Sequence, residues 1–161
     1  QVIAMTPIAI TRALASLGNG GLLPNPHIVK EIIYKLGFKK KIVTTRGEMR
    51  RVISAKTAEE ITRMLVQVVD KALKNGALKM DHYSIAAKTG TAQIANKEQG
   101  GYYPDRFLHS FFGYFPAYNP KFIVILYTLE PQADYASNTL TTPFKNLSKF
   151  LVNYYQVPPD R

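Results

Sequence analysis

The sequence contains no cysteine and no long apolar run, and each absence excludes whole classes of protein. Without cysteine there is no disulfide framework, thiolate zinc site, iron–sulfur ligation or cysteine nucleophile. The longest apolar stretch, from Phe122 to Tyr127, is too short to cross a bilayer, and no charged-then-apolar leader is present. We therefore expect this chain to carry neither a membrane anchor nor an export signal. The 161 residues do not begin with methionine, which favours a piece of a longer protein.

Acidic residues are also few, at 11 against 21 lysines and arginines, and the formal charge is +10. The excess is concentrated between Lys35 and Arg51, where Glu48 is the only acidic residue. Such runs occur in solvated loops and on surfaces that bind nucleic acid or an anionic membrane. Because the run holds only Phe38 as an aromatic residue, with Tyr34 just before it, and no recognition helix, we interpret it as a solvated loop. A nucleic-acid-binding module remains the alternative, and a steep salt dependence of DNA binding would favour it.

Signals for metal and cofactor sites are missing too. The histidines His27, His82 and His109 are scattered, so we interpret them as surface or strand residues and expect no metal. No glycine-rich phosphate loop, Gly-x-Ser-x-Gly turn or glycosidase-like carboxylate pair occurs, and we expect no cofactor.

The periodicity of apolar residues predicts an α/β protein of the α+β type, with an antiparallel sheet flanked by helices. Six ordered segments are predicted: a helix opening at Thr6-Pro7, a helix over 57–74, strands over 83–93, 107–115 and 121–129, and a helix opening at Thr142-Pro143. The helix over 57–74 opens on the capping box Thr57-Ala58-Glu59-Glu60 and ends at Asn75-Gly76. Its apolar residues form one stripe at helical spacing: Ile61, Met64, Leu65, Val68, Val69, Ala72 and Leu73. The residues from 22 to 51 are predicted to be irregular, with short extended pieces such as Lys41 to Thr45. The third strand is almost entirely apolar, which is typical of a central strand buried on both faces. A short turn from Pro116 to Pro120 predicts that the second and third strands are antiparallel neighbours.

One segment carries chemistry: Lys88-Thr89-Gly90-Thr91, on the first predicted strand. Lys88 places a cation at the mouth of a cleft, and Gly90 has no side chain to keep a ligand away from the strand. Thr89 and Thr91 share one face by the period of two, and their hydroxyls suit a carboxylate. An edge strand of this kind pairs with an extended peptide and presents a backbone N–H to a developing oxyanion. A solvent-facing lysine and a glycine bulge are the plainer alternative.

The stretch from Ile94 to Arg106, between the first two strands, is predicted to be a mobile flap beside the cleft. Its Gly100-Gly101 and Tyr102-Tyr103 pairs suggest this role.

An ordered series of motifs resembles the class B penicillin-binding proteins, which are monofunctional peptidoglycan transpeptidases. Lys-Thr-Gly, on a strand before two further antiparallel strands and a last helix, is similar to the third motif of penicillin-binding proteins and serine β-lactamases. The series runs Met5-Thr6-Pro7, Ile53-Ser54-Ala55-Lys56-Thr57-Ala58, Lys88-Thr89-Gly90-Thr91-Ala92-Gln93, Phe111-Phe112-Gly113-Tyr114-Phe115-Pro116-Ala117 and Asn119-Pro120-Lys121-Phe122. The resemblance covers essentially the whole chain.

The resemblance implies a D,D-transpeptidase that cross-links the peptide stems of peptidoglycan through a serine acyl-enzyme, which β-lactams trap. It implies that Lys88 supplies positive potential and a partner in the proton network, and that Thr89 and Thr91 hold the substrate carboxylate. Gly90 keeps the approach open, and the backbone N–H of Thr91 forms half of the oxyanion hole. The implied setting is the extracytoplasmic face of the bacterial cytoplasmic membrane, in a cell-wall synthesis complex anchored by an upstream segment.

The family also needs Ser-x-x-Lys and Ser-x-Asn motifs, and no serine of this chain begins either one. We therefore expect residues 1–161 to be the C-terminal part of a transpeptidase domain, incomplete and inactive alone, with the nucleophile and those motifs upstream. Its partners are then the N-terminal part of the same protein, peptidoglycan stems and β-lactams. A non-catalytic β-lactam-sensing receptor domain is the alternative within the same fold. The sequence does not separate a role in division from one in elongation.

Overall fold

The computed structural model describes residues 5–42 and 49–161. The chain divides into two units, residues 1–59 and 60–161. The helices are α1 (Pro7–Gly18), α2 (Ala55–Gln67) and α3 (Ala136–Tyr154). The strands are β1 (Leu22–Leu23), β2 (Glu31–Ile33), β3 (Lys39–Lys41), β4 (Arg50–Arg51), β5 (Ala86–Ala95), β6 (Tyr102–Phe115) and β7 (Phe122–Leu129). Within the described ranges, no helix is long and apolar enough to cross a membrane.

The first unit begins with α1, whose predicted cap is confirmed. The Thr6 hydroxyl accepts the N–H of Ala9 at 3.3 Å, and Pro7 occupies the first turn. Four short strands follow in two antiparallel pairs, β1 with β4 and β2 with β3. The segment that we predicted to be irregular therefore contains two small ladders. Its predicted extended piece at 41–45 lies partly outside the described residues.

The second helix begins earlier than the predicted capping box at Thr57. The Ser54 hydroxyl accepts the N–H of Thr57 at 3.0 Å, so the helix starts at Ala55. After Gln67 the chain forms a π-helical turn over Val68–Ala72 and a 3-10 turn over Leu73–Gly76. These end the element near Asn75-Gly76, as predicted.

The buried face of this second helical element also differs from the predicted stripe. Val69 and Leu73 are buried as expected, but Met64 is 64% exposed and Thr62 is buried. Thr62 and Tyr114 share a hydrogen bond of 2.8 Å between their hydroxyls, so this face turns toward β6. Burial raises the pKa of the Tyr114 phenol, and the bond to Thr62 opposes that rise.

The main sheet has the order β5-β6-β7, and both of its pairs are antiparallel. The predicted pairing of the second and third strands is confirmed. Among the strands that the structure describes, β6 is central and β7 is half-buried along most of its length, so the prediction that the third strand is central is wrong for this part of the chain. The apolar run of β7 packs through Phe122, Val124 and Leu126 against the core.

The last helix starts at Ala136, well before the predicted opening at Thr142-Pro143, and Pro143 lies inside it. The proline removes one helical hydrogen bond, a loss that packing compensates in this case. Phe144 stacks on Phe111 of β6, with ring centroids 4.5 Å apart, and both side chains are fully buried. This helix therefore covers the face of the sheet that carries Phe111.

Gly113 lies where the Phe144 side chain of α3 packs against β6. A Cβ atom at this position would stand 2.5 Å from Phe144 Cζ and 2.8 Å from the Cβ of Ala87. We expect Gly113→Ala to lower the free energy of unfolding by about 1–3 kcal/mol, because neither neighbour can withdraw from a packed core. Thermal unfolding of the full-length protein measures this. In the control Gly90→Ala the new Cβ meets only the rotatable Ser110 hydroxyl, and equal losses in the two variants would contradict the packing argument.

The C-terminal residues fasten the start of β5. The Asp160 carboxylate accepts the N–H of Ser84 at 2.7 Å and also the Ser84 hydroxyl. Arg161 donates two hydrogen bonds to the Asp70 carboxylate, at 2.6 and 3.0 Å. The residues after α3 thus fix the chain at Ser84, just before β5 and its Lys-Thr-Gly segment.

Candidate active site

The four residues singled out in the sequence lie on β5, at one edge of the main sheet. In the part of the chain that the structure describes, β5 pairs with β6 alone. Lys88 faces Phe112, Gly90 faces Ser110 and Thr91 faces His109 across the ladder. The predicted strand and its two later partners are thus confirmed, and the segment stands at an open edge.

The backbone direction at this edge follows from the hydrogen bonds of β6. The carbonyl groups of Phe107 and Phe115 accept N–H groups on the β7 side, from Glu130 at 2.8 Å and Lys121 at 3.1 Å. Odd-numbered residues of β6 therefore point to β7 and even-numbered ones to β5, since antiparallel strands alternate.

Lys88 and Gly90, which face even-numbered residues of β6, form the hydrogen-bonded pairs with that strand. The N–H and C=O groups of Thr89 and Thr91 consequently point away from the sheet. They stand where an added strand or an oxyanion would meet them.

The Lys88 ammonium lies at the same open edge. Its Nζ donates to the carbonyl oxygen of Thr89 at 2.8 Å, which confirms the outward direction of that carbonyl. The side chain is exposed, and two of its three N–H donors remain for a ligand. The edge therefore combines a positive charge with outward-facing backbone donors.

Gly90 lies against the Ser110 hydroxyl. A Cβ at this position would stand 2.6 Å from that hydroxyl, which donates to the Gly90 carbonyl at 3.4 Å. By alternation, Lys88, Gly90 and Ser110 share the face of the sheet opposite to α3. The absence of a side chain at Gly90 thus makes room for the Ser110 hydroxyl.

The Thr91 side chain is anchored to α3. Its Oγ1 accepts the backbone N–H of Ala136, the first residue of that helix, at 3.1 Å. The N-cap residue Tyr135 forms no side-chain cap, so Thr91 takes over that function from the neighbouring strand. With its oxygen accepting from the helix, the hydroxyl hydrogen is directed elsewhere and suits an acceptor such as a carboxylate. The positive end of the helix dipole favours the same kind of ligand.

Thr89 and Thr91 lie on the α3 face of the strand, as their spacing predicts. Thr89 is half-buried and Thr91 is exposed. The structure brings all four predicted residues together along one edge, within a single strand.

His109 is the residue of this region that sequence reasoning missed. It is fully buried, and its Nδ1 lies 2.9 Å from the Thr139 hydroxyl on α3. The sequence signal for this is the spacing of two residues along β6, which places His109 on the same face as Phe107 and the buried Phe111. His27 and His82 are exposed, and no cluster of three or more possible metal ligands occurs in residues 5–42 and 49–161.

The flap predicted from Ile94 to Arg106 is wrong in its extent. Pairing of β5 with β6 continues to Ala95 and Tyr102, and only residues 96–101 connect the two strands. Asn96 closes this connection, because its Oδ1 accepts the N–H groups of Glu98 and Gln99. The side-chain oxygen of Asn96 thus fixes a turn that composition alone did not reveal.

Both tyrosines of the predicted flap therefore lie in β6. Replacing Tyr102 and Tyr103 by alanine in the full-length protein is expected to alter acylation by penicillin more than thermal stability. The exposed Arg106 guanidinium lies over the Tyr103 ring, 4.3 Å from its centroid, a contact worth only about 0.5–1 kcal/mol. Acylation kinetics and melting curves check this, and a large loss of stability with unchanged acylation would mark them as packing residues.

The basic run lies in the first unit, and its Arg46 falls outside the described residues. Lys39–Lys41 form the exposed strand β3. Arg51 is engaged locally, donating to the Gly20 carbonyl at 2.6 Å. The interpretation of the basic run as a solvated surface without a nucleic-acid partner stays a prediction.

An antiparallel sheet whose edge strand carries Lys-Thr-Gly, with a C-terminal helix across one face, is the arrangement of penicillin-binding and serine β-lactamase domains. The profile of the penicillin binding protein transpeptidase domain matches residues 1–149. The chain belongs to this transpeptidase family.

The relatives agree with that assignment. A peptidoglycan D,D-transpeptidase FtsI homolog of Mesostigma viride is 31% identical over 172 residues, covering 99% of this chain and 28% of the relative. Penicillin-binding protein PbpB of Mycolicibacterium smegmatis is 30% identical over 167 residues, covering 98% and 26%.

Among solved structures, penicillin binding protein 3 of Mycobacterium tuberculosis complexed with ampicillin is 27% identical, with a TM-score of 0.82. That match covers 99% of this chain and 37% of the other. The expected penicillin-binding-protein-like fold is thereby confirmed, and the chain spans only a minor part of each relative's length.

Proposed function

We propose that the full-length protein is a peptidoglycan D,D-transpeptidase that cross-links stem peptides and binds penicillin, and that this chain supplies the Lys-Thr-Gly wall of its active site. Family membership and the names of the relatives support the class of reaction. The observation that carries the proposal is the open edge of β5. There the Thr91 N–H points away from the sheet, beside the Lys88 ammonium.

The reaction begins with a serine oxygen that attacks the carbonyl carbon between two D-alanines. The amide C–N bond breaks, the terminal D-alanine leaves with a proton on its nitrogen, and an ester to the serine remains. An amine of a neighbouring stem then attacks the ester carbonyl and forms the cross-link. The ester C–O bond breaks, and a proton from that amine passes to the released serine oxygen. Each step creates a negative charge on the carbonyl oxygen, and each therefore gains from a fixed N–H donor.

The residues of β5 each have a role in these steps. The stem peptide lies along the open edge as an added strand, and the absence of a side chain at Gly90 lets it approach. Thr89 and Thr91 hydrogen-bond its terminal carboxylate, and Lys88 adds positive potential and joins the proton network. The Thr91 N–H donates to the oxyanion, a contact often worth about a hundredfold or more in rate.

The nucleophile lies outside this chain in our proposal. None of the six serines, Ser16, Ser54, Ser84, Ser110, Ser137 and Ser148, begins a Ser-x-x-Lys or a Ser-x-Asn motif. Residues 1–161 are therefore the C-terminal portion of the domain and are inactive alone. The full-length protein acts on the extracytoplasmic face of the cytoplasmic membrane, anchored through another segment and joined to a cell-wall synthesis complex.

β-Lactams imitate the D-Ala–D-Ala end, and their ring amide opens onto the serine. The leaving nitrogen stays tethered, so the acyl-enzyme persists. The ampicillin complex of the 27% identical relative supports this expectation.

The test is turnover by the full-length protein on a D-Ala–D-Ala ester donor with an added acceptor amine. The proposal predicts acylation by fluorescent penicillin, which the donor slows, and transfer of the acyl group to the amine. A receptor domain would be acylated without transfer, and that result would replace the transpeptidase by the sensing alternative. Absence of acylation would reject both.

A further inference from the structure

His109 lies opposite Thr91 in the ladder, and nothing in the proposed reaction uses it. We propose that His109 is a positioning residue: through Thr139 it fixes the first turn of α3, and that turn directs the Thr91 hydroxyl toward the substrate carboxylate. This inference rests on the proposed function. It assigns a specificity role to a residue that touches neither the substrate nor the reacting atoms.

His109 is joined to α3 through its Nδ1. This atom shares a hydrogen bond of 2.9 Å with the Thr139 hydroxyl, and that hydroxyl also donates to the Tyr135 carbonyl at 3.4 Å. The imidazole thus holds Thr139 in place.

The surroundings of the other ring nitrogen, Nε2, indicate that His109 is not present to stabilise the fold. Nε2 is buried and has no hydrogen-bond partner among the described residues. A buried polar atom without a partner opposes folding, and an apolar side chain of similar volume would avoid that cost. A residue that violates the rule for buried polar atoms beside a site is expected to serve the site.

The contacts close into a ring. Thr91 faces His109 across the strands, His109 bonds Thr139, and Thr139 bonds the carbonyl of Tyr135. The next residue, Ala136, donates its N–H back to the Thr91 hydroxyl. The direction of the Thr91 hydroxyl therefore depends on where the first turn of α3 stands, and the histidine sets that position.

The experiment compares acylation of the full-length protein by benzylpenicillin and by its methyl ester, which lacks the carboxylate. We expect His109→Leu to lower the rate of acylation by benzylpenicillin about tenfold and to leave the rate with the methyl ester within twofold. The ratio of the two rates, which is the preference for the acid, therefore falls about tenfold. Thr139→Val is expected to do the same, whereas Thr139→Ser keeps the hydroxyl and the preference. His109→Asn, whose amide reaches the Nδ1 position, is expected to restore most of it.

A double mutant separates positioning from a general loss of structure. In a Thr91→Val background, His109→Leu is expected to cause no further fall in the acid preference, because both act through one hydroxyl. The role is overturned if His109→Leu keeps the preference within twofold, or lowers acid and ester rates equally. It is also overturned if the losses in the double mutant multiply. If the unmutated protein is not acylated by either compound, the proposed function itself fails, and the positioning role fails with it.

Discussion

Replacing Lys88 by alanine in the full-length protein is expected to lower the rate of acylation by penicillin at least about a hundredfold. Its ammonium lies at the open edge of β5, on the outward carbonyl of Thr89. Two unit charges 4 Å apart attract by about 1 kcal/mol in water and about 4 kcal/mol at an effective dielectric of 20, and a site partly shielded from water by its substrate would lie between these limits. A hundredfold change corresponds to about 2.7 kcal/mol, within that range.

The matched variant is Lys88→Arg, which keeps the charge but changes the position of the donors. It is expected to retain more activity than the alanine variant. Stopped-flow acylation measures both, with melting curves to show that the fold is kept. An alanine variant that acylates within threefold of the unmutated protein would remove Lys88 from the site.

The second large effect concerns a backbone group. Replacing the amide N–H of Thr91 by an ester oxygen, through incorporation of the corresponding hydroxy acid, deletes one donor and leaves the side chain intact. Because this N–H points away from β6, we expect acylation to fall by about a hundredfold to a thousandfold, as for other oxyanion-hole donors. Stability should change little, since no ladder hydrogen bond is lost.

Ala92 provides the control, one residue further along. It faces Leu108, an even-numbered residue of β6, so its N–H belongs to the ladder. An ester at this position is expected to lower the free energy of unfolding by about 1 kcal/mol and to leave acylation within a few-fold. If the esters at Thr91 and Ala92 have equal effects on acylation, the oxyanion role is contradicted.

The sequence predicted where the four candidate site residues lie better than it predicted the elements around them. Lys88, Thr89, Gly90 and Thr91 needed only a strand and its alternation, and local periodicity supplies both. Alternation along β6 also predicts that His109 is buried. We did not draw that inference, because the three histidines are scattered in the sequence and were interpreted together.

Contacts between distant segments account for most of the errors. The early start of α3 depends on a cap from Thr91, 45 residues away in the chain, which no local pattern encodes. The hydrogen bond between Thr62 and Tyr114 sets which face of the helix after Ser54 is buried. The predicted apolar stripe missed this, because it included Met64, which is exposed. The edge position of β7 follows from strand order, which composition does not specify.

We propose that this chain forms one wall of a serine transpeptidase site whose nucleophile lies elsewhere in the protein. Peptide mass spectrometry of the full-length protein after reaction with penicillin locates that nucleophile. We expect one acylated serine, outside residues 1–161 and within a Ser-x-x-Lys motif, and no labelling of residues 1–161 expressed alone. An adduct on any of the six serines of this chain, or no adduct at all, would contradict it.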